Sequence, residues 1–151
     1  LDPARPVVVE AESSRIGELV VPRAVWKSLC AAPRLRIEAR LEARAAYTAR
    51  AYAEATAEPG RIAETVARLA PLHPADRIAA WQALVRAAAW EPLALGLMQD
   101  HYDPRYARQR ARHASAERLA IPVADLSERG LDTAAAAIEA ALGNLTAETV
   151  S

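Results

Sequence analysis

The chain has one cysteine, one methionine, five glycines and no phenylalanine, and its nineteen basic residues are matched by nineteen acidic ones. Each scarcity excludes something. A lone Cys30 permits no internal disulfide and suits a reducing, cytoplasmic setting. Three scattered histidines with that cysteine do not make a zinc site. Zero formal charge removes any bulk attraction to nucleic acid, so a nucleic-acid surface would have to be local. No apolar run approaches the ~20 residues that span a bilayer, no signal peptide is recognisable, and no membrane partner is expected. Neither an internal repeat nor a phosphate loop of the form G-x-x-x-x-G-K followed by serine or threonine is present. What the chain does have is 151 residues, 52% of them hydrophobic, which is enough for one domain with a core of its own. It begins Leu1-Asp2-Pro3 and reaches its first apolar run within a few residues, which raises the expectation of an upstream part.

That run, Pro6-Val7-Val8-Val9, ends in Glu10-Ala11-Glu12-Ser13-Ser14-Arg15-Ile16-Gly17. A continuous valine run that gives way to polar residues fits a buried parallel strand, whose carboxyl end is where α/β sheets bind ligands. Glu10 and Glu12, two apart on an extended chain, point the same way. In a nucleotide-type sheet they would hold magnesium through water or orient a nucleophile, and Ser13, Ser14 and Arg15 would meet a phosphate. A strand ending in a solvated turn fits the same residues.

Pro22 suits the first turn of a helix carrying Trp26, Leu29 and Cys30. Trp26 and Cys30 share a face, which makes Cys30 a core residue and no nucleophile. Ala32-Pro33 ends that helix, and Arg34 to Ala39 alternates as a second strand. Strand, helix and strand make a βαβ unit with a parallel sheet. From Leu41 the pattern is helical through Ala45, Thr48 and Tyr52, with Arg44 and Tyr52 two turns apart. Taken alone, these two are a surface arginine and a half-buried tyrosine.

Pro59-Gly60 interrupts the chain, and helices are expected from about Arg61 to Leu69, Ala75 to Trp90 and Leu93 to Gln99, the last started by Pro92. This helical block extends over about residues 59–113. Its end carries Asp100-His101-Tyr102-Asp103-Pro104-Arg105-Tyr106 and the only local excess of positive charge. On a helix Arg105, Arg108 and Arg112 share a face that suits phosphates, and Tyr102 and Tyr106 suit the stacking of a splayed base. A solvated helix is the alternative. A third strand is expected at Leu119 to Val123, on an edge because of Pro122. A last helix, Ala134 to Leu142, would be capped by Thr133 and closed by Gly143. The fold class is therefore α/β with a large helical portion: a partial parallel sheet of about three strands plus a helical bundle.

Val7 to Gly17, the Val-Pro start of a Trp-bearing helix, Ile37-Glu38 with Arg44 and Tyr52, and Tyr102-Asp103-Pro104 with Tyr106 resemble, in order and spacing, the carboxy-terminal part of the tRNA 2-selenouridine synthase family. The resemblance implies a P-loop-type domain joined to an amino-terminal rhodanese domain with a catalytic cysteine. It implies a transferase that replaces the sulfur of a wobble 2-thiouridine with selenium from selenophosphate, through an S-geranyl intermediate made from geranyl diphosphate. It makes Glu10, Glu12 and Arg44 the catalytic candidates, with Ser13, Ser14, Arg15 and Tyr52 at the substrate phosphates and magnesium as an ion that could assist. The tRNA anticodon loop would lie on Tyr102, Arg105, Tyr106, Arg108 and Arg112. The rhodanese cysteine and the phosphate loop are absent from these 151 residues, and Arg40 stands where the family often has proline. The resemblance thus implies a chain inactive without the missing half. A non-catalytic RNA-binding or protein-interaction module on the same fold is the other reading.

Overall fold

The computed structural model describes residues 7–10, 13–52, 57–111 and 117–149. A minimal hairpin comes first, with β1 (Arg15–Ile16) antiparallel to β2 (Leu19–Val20). Its turn needs Gly17, whose φ of +59° is costly for any residue with a Cβ. Helix α1 (Arg23–Ala31) follows Pro22, whose fixed φ pre-sets the helical entry, and half-buries Trp26, Leu29 and Cys30 along one stripe. It stops at Ala32, which is extended because it precedes Pro33.

Strand β3 (Arg34–Ala39) pairs in parallel with β4 (Glu117–Val123), placing Ile37 opposite Ile121 and Ala39 opposite Val123. Between them in sequence lie α2 (Leu41–Ala51), α3 (Pro59–Ala67), a 3-10 turn (Ala70–Leu72), α4 (Ala75–Arg86), α5 (Trp90–Leu97), a π turn (Met98–Tyr102) and α6 (Asp103–Ala111). The chain closes with α7 (Glu128–Thr149), packed on β4. Pro59 occupies the first turn of α3, where its missing N–H costs nothing.

The main core joins α3, α4 and α5 through Val66, Trp81, Val85 and Leu93. Trp81 is 1% exposed, and Gly96 lets α5 approach it: a Cβ there would lie 2.8 Å from the indole Nε1. Helix α2 packs on α5 with Ala45 fully buried, which fixes the start of α2 beside the π turn.

Several expectations are corrected. Val7, Val8 and Val9 are 60%, 65% and 51% exposed and form no strand. A valine run is buried only where neighbouring strands take up its backbone groups, and no described strand pairs with it. The parallel partner of β3 is β4, so among the described residues the parallel sheet has two strands, not about three, and the hairpin stands apart from it. Helix α4 ends before Trp90 because Ala88 takes a left-handed φ of +50°. Helix α5 then begins at Trp90, ahead of Pro92. The cap of α7 is Ser127, whose Oγ accepts from the Gly130 N–H at 3.2 Å and itself donates to Asp125 Oδ1 at 2.5 Å. Thr133 lies inside the helix, with its hydroxyl on the Arg129 carbonyl at 2.9 Å, and Gly143 does not end it.

Candidate functional site

An open cleft of about 600 Å³ lies where the carboxyl end of β3 meets the first turns of α2 and α6. Arg36, Glu38, Arg44, Gln99 and Asp103 line it, together with Ile37, Ala39, Pro104 and Ala107. Position follows from local structure. Arg36 and Glu38, two apart on β3, point the same way and form an ion pair. Arg44 is carried by the first turn of α2, and Asp103 opens α6 directly after the π turn. Such one-turn π segments often accompany functional sites.

Arg44 and Asp103, 59 residues apart in sequence, meet in a bidentate fork. Nη1 donates to Oδ1 at 2.8 Å and Nη2 to Oδ2 at 2.7 Å. About a third of each side chain is exposed, at 34% and 37%. The hydrogen bond with Asp103 raises the Arg44 pKa above its ordinary value, against the opposing pull of burial. Arg44 Nε is shielded from solvent and has no partner. The cleft therefore holds two guanidinium groups, each matched with a carboxylate, at the end of a parallel pair of strands where α/β folds take ligands.

The other predicted residues lie elsewhere. Glu10 is exposed and does not line the cleft. Ser13 Oγ accepts from the Arg15 N–H at 3.0 Å, and the Ser14 carbonyl accepts from the Val21 N–H at 2.8 Å, so both serve the hairpin. Arg15 is exposed on β1, and Tyr52 ends α2 with 63% of its surface exposed. Tyr102, Arg105, Tyr106 and Arg108 are exposed on the π turn and α6, the two tyrosines at 47% and 40%. Glu12 and Arg112 lie outside the described residues.

Among the described residues no three histidine, cysteine, aspartate or glutamate side chains gather as a metal set. Glu38 and Asp103, the carboxylates of the cleft, are both taken by arginines. With both of its carboxylates on arginines, the cleft's own donor set does not fit magnesium. Arg36, Glu38 and Gln99 were missed in the sequence. The signal for the first two was their period-2 alternation at the carboxyl end of a strand.

A second polar cluster links the π turn to His73 and to α4. His73 Nε2 and His101 Nδ1 are 2.9 Å apart, His101 is only 9% exposed, and Arg77 Nη1 reaches Asp100 Oδ2 at 2.9 Å. Among the described residues no helix is long and apolar enough to cross a membrane.

Neither a curated protein nor a solved structure matches the chain. A family model does: the tRNA 2-selenouridine synthase AAA domain matches residues 2–71, a stretch that includes β3, Arg44 and all of α2. Over residues 2–71 the chain is thus similar to the AAA domain of tRNA 2-selenouridine synthase, in agreement with the resemblance carried by Val7 to Gly17, Ile37-Glu38, Arg44 and Tyr52.

Proposed function

We infer that this chain is part of a tRNA wobble-uridine modifying enzyme and that the cleft at Arg44 receives the diphosphate of geranyl diphosphate. The observation that carries this reading is a cleft-lining guanidinium inside the matched segment, at the carboxyl end of a parallel strand. Arginine is suited to the task because its planar fork meets phosphate oxygens two at a time and stays charged. When the thiouridine sulfur attacks the geranyl carbon, the carbon–oxygen bond to diphosphate breaks and negative charge builds on the leaving group. A guanidinium held beside it in a partly desolvated cleft lowers that barrier. The selenium of selenophosphate then attacks C2 of the base, geranyl thiol leaves with the sulfur, and hydrolysis of the selenium–phosphorus bond releases phosphate.

Tyr102, Arg105, Tyr106 and Arg108 would hold the anticodon loop, by stacking and by binding its phosphates. All four are exposed along the π turn and α6, as an RNA-binding face requires. The reading assigns the phosphate loop and the rhodanese cysteine to polypeptide outside these 151 residues, so that the chain alone is inactive.

Arg44→Ala in the enzyme that contains this chain tests the reading. Geranylation of 2-thiouridine tRNA should fall by about two orders of magnitude, as for removal of one charge-stabilising donor. Binding of tRNA should change little. Equal losses in both assays would remove Arg44 from the diphosphate site and make the chain an RNA-binding module.

A further inference from the structure

Arg44 reaches the cleft already occupied. Of its five N–H donors, Asp103 takes one on each terminal nitrogen, the edge of the guanidinium best matched to a carboxylate or a phosphate. The remaining edge ends in Nε, which is shielded from solvent. With Nε shielded, a two-donor grip on that side is not available to a phosphate. The terminal edge is the one left for a fork, and a phosphate seeking it meets the Asp103 carboxylate, which repels it. Both side chains are about one-third exposed, so the pair is open enough for solvent screening to weaken it.

We propose that Asp103 is a place-holder for the substrate diphosphate, seated on the Arg44 fork in the ligand-free cleft and displaced when the diphosphate binds. The proposal rests on the reading of Arg44 given above and adds a specificity role. A carboxylate already on the fork must be outcompeted, and a multiply charged diphosphate does this better than a single phosphate group. Asp103 therefore keeps inorganic phosphate and other weak anions off Arg44 while it holds the guanidinium in place. Glu38 on Arg36 forms a second such pair among the residues that line the cleft.

The test is calorimetric titration of the enzyme that contains this chain with inorganic pyrophosphate and with inorganic phosphate at fixed ionic strength, for the unaltered protein, Asp103→Asn and Arg44→Ala. Asparagine keeps the shape and removes the charge. Asp103→Asn should bind pyrophosphate roughly five- to tenfold more tightly. It should gain more for phosphate, so the preference between the two anions narrows. Arg44→Ala should lose binding of both. Weaker or unchanged binding in Asp103→Asn, with binding abolished in Arg44→Ala, overturns the place-holder and leaves the Arg44 reading standing. Pyrophosphate bound equally by Arg44→Ala, or by none of the three proteins, overturns both. A measurement on the unaltered protein guards against a variant that misfolds. The side-chain carboxyl carbon resonance of Asp103 should shift on saturation with pyrophosphate, and a resonance that stays in place overturns the proposal.

Discussion

His73 Nε2 and His101 Nδ1 stand 2.9 Å apart, so one imidazole donates to the other across the gap between the 3-10 turn and the π turn. Trp81 and His73 pack in a T-shaped contact with ring centroids 4.9 Å apart, and Tyr102 and His101 do the same at 5.0 Å. The pair thus ties the π turn, and the Asp103 that follows it, to the main helical core. Burial first, then the Arg105 charge, then His73, hold the His101 pKa below the ordinary histidine value of 6.5.

Linkage gives the pH dependence its sign. The unfolded chain protonates His101 near the ordinary value, while the folded chain resists until a lower pH. This contribution is therefore fully present above about pH 6.5 and is lost as pH falls from there through the folded value, at no more than about 1.4 kcal/mol per pH unit for one proton. Urea midpoints should decline between about pH 7 and pH 5, and His101→Gln should decline less steeply. An equal slope in the variant would show that other groups carry the effect.

Ala88 is the non-glycine residue with positive φ among the described residues, and it ends α4 through two bonds. Its N–H donates to the Val85 carbonyl at 3.0 Å, and Ala89 N–H donates to the Leu84 carbonyl at 2.9 Å. This is the double bond of a Schellman turn, in which glycine is preferred because a Cβ crowds the left-handed backbone. Ala88→Gly should stabilise the protein by about 0.5–1 kcal/mol, after allowing for the freer unfolded chain. Thermal unfolding measures it, and a lower midpoint would contradict the account.

Gly96 faces the opposite constraint. A methyl there would meet Trp81 Nε1 at 2.8 Å and Cδ1 at 3.4 Å, and the indole is 1% exposed with no room to yield. Gly96→Ala should cost about 1–3 kcal/mol by overpacking, despite alanine's better helix propensity. Unfolding in urea at neutral pH checks this, and an unchanged midpoint would mean that α5 shifts freely over Trp81.

Reversal of the exposed charges on α6 tests the RNA face. Arg105→Glu with Arg108→Glu should weaken tRNA binding and flatten its salt dependence, by about 0.7 in logarithmic slope for each RNA phosphate that is no longer neutralised. Affinity measured from low to moderate salt reads both quantities. A parallel curve with the same slope would place the RNA elsewhere.

Local chemistry made much of this legible. Pro22 before α1, the shared stripe of Trp26 and Cys30, and the helical spacing from Leu41 through Ala45 all identify elements that depend on nearby residues. Gly17-Glu18 between Ile16 and Leu19-Val20 is a weak hairpin signal that the neighbouring valine run overshadows. Pairing was not legible. Ile37 lies opposite Ile121 in a parallel sheet, and no local pattern names a partner so distant. Val7 to Val9 shows the converse, because composition alone asks for burial that only neighbouring strands can provide. At the site, spacing alone makes Arg44 a surface arginine and only the family resemblance singles it out, because nothing local pairs it with Asp103, 59 residues away. The π turn that places Asp103 there has no sequence pattern of its own.

The most direct test of the central claim is mass spectrometry of the wobble nucleoside in tRNA from source cells that lack the gene, supplied with either the unaltered or the Arg44→Ala form. The account predicts that 2-selenouridine disappears on deletion, returns with the unaltered gene, and stays far below that level with Arg44→Ala while 2-thiouridine persists. Undiminished 2-selenouridine in the deleted cells, or full recovery with Arg44→Ala, would contradict it.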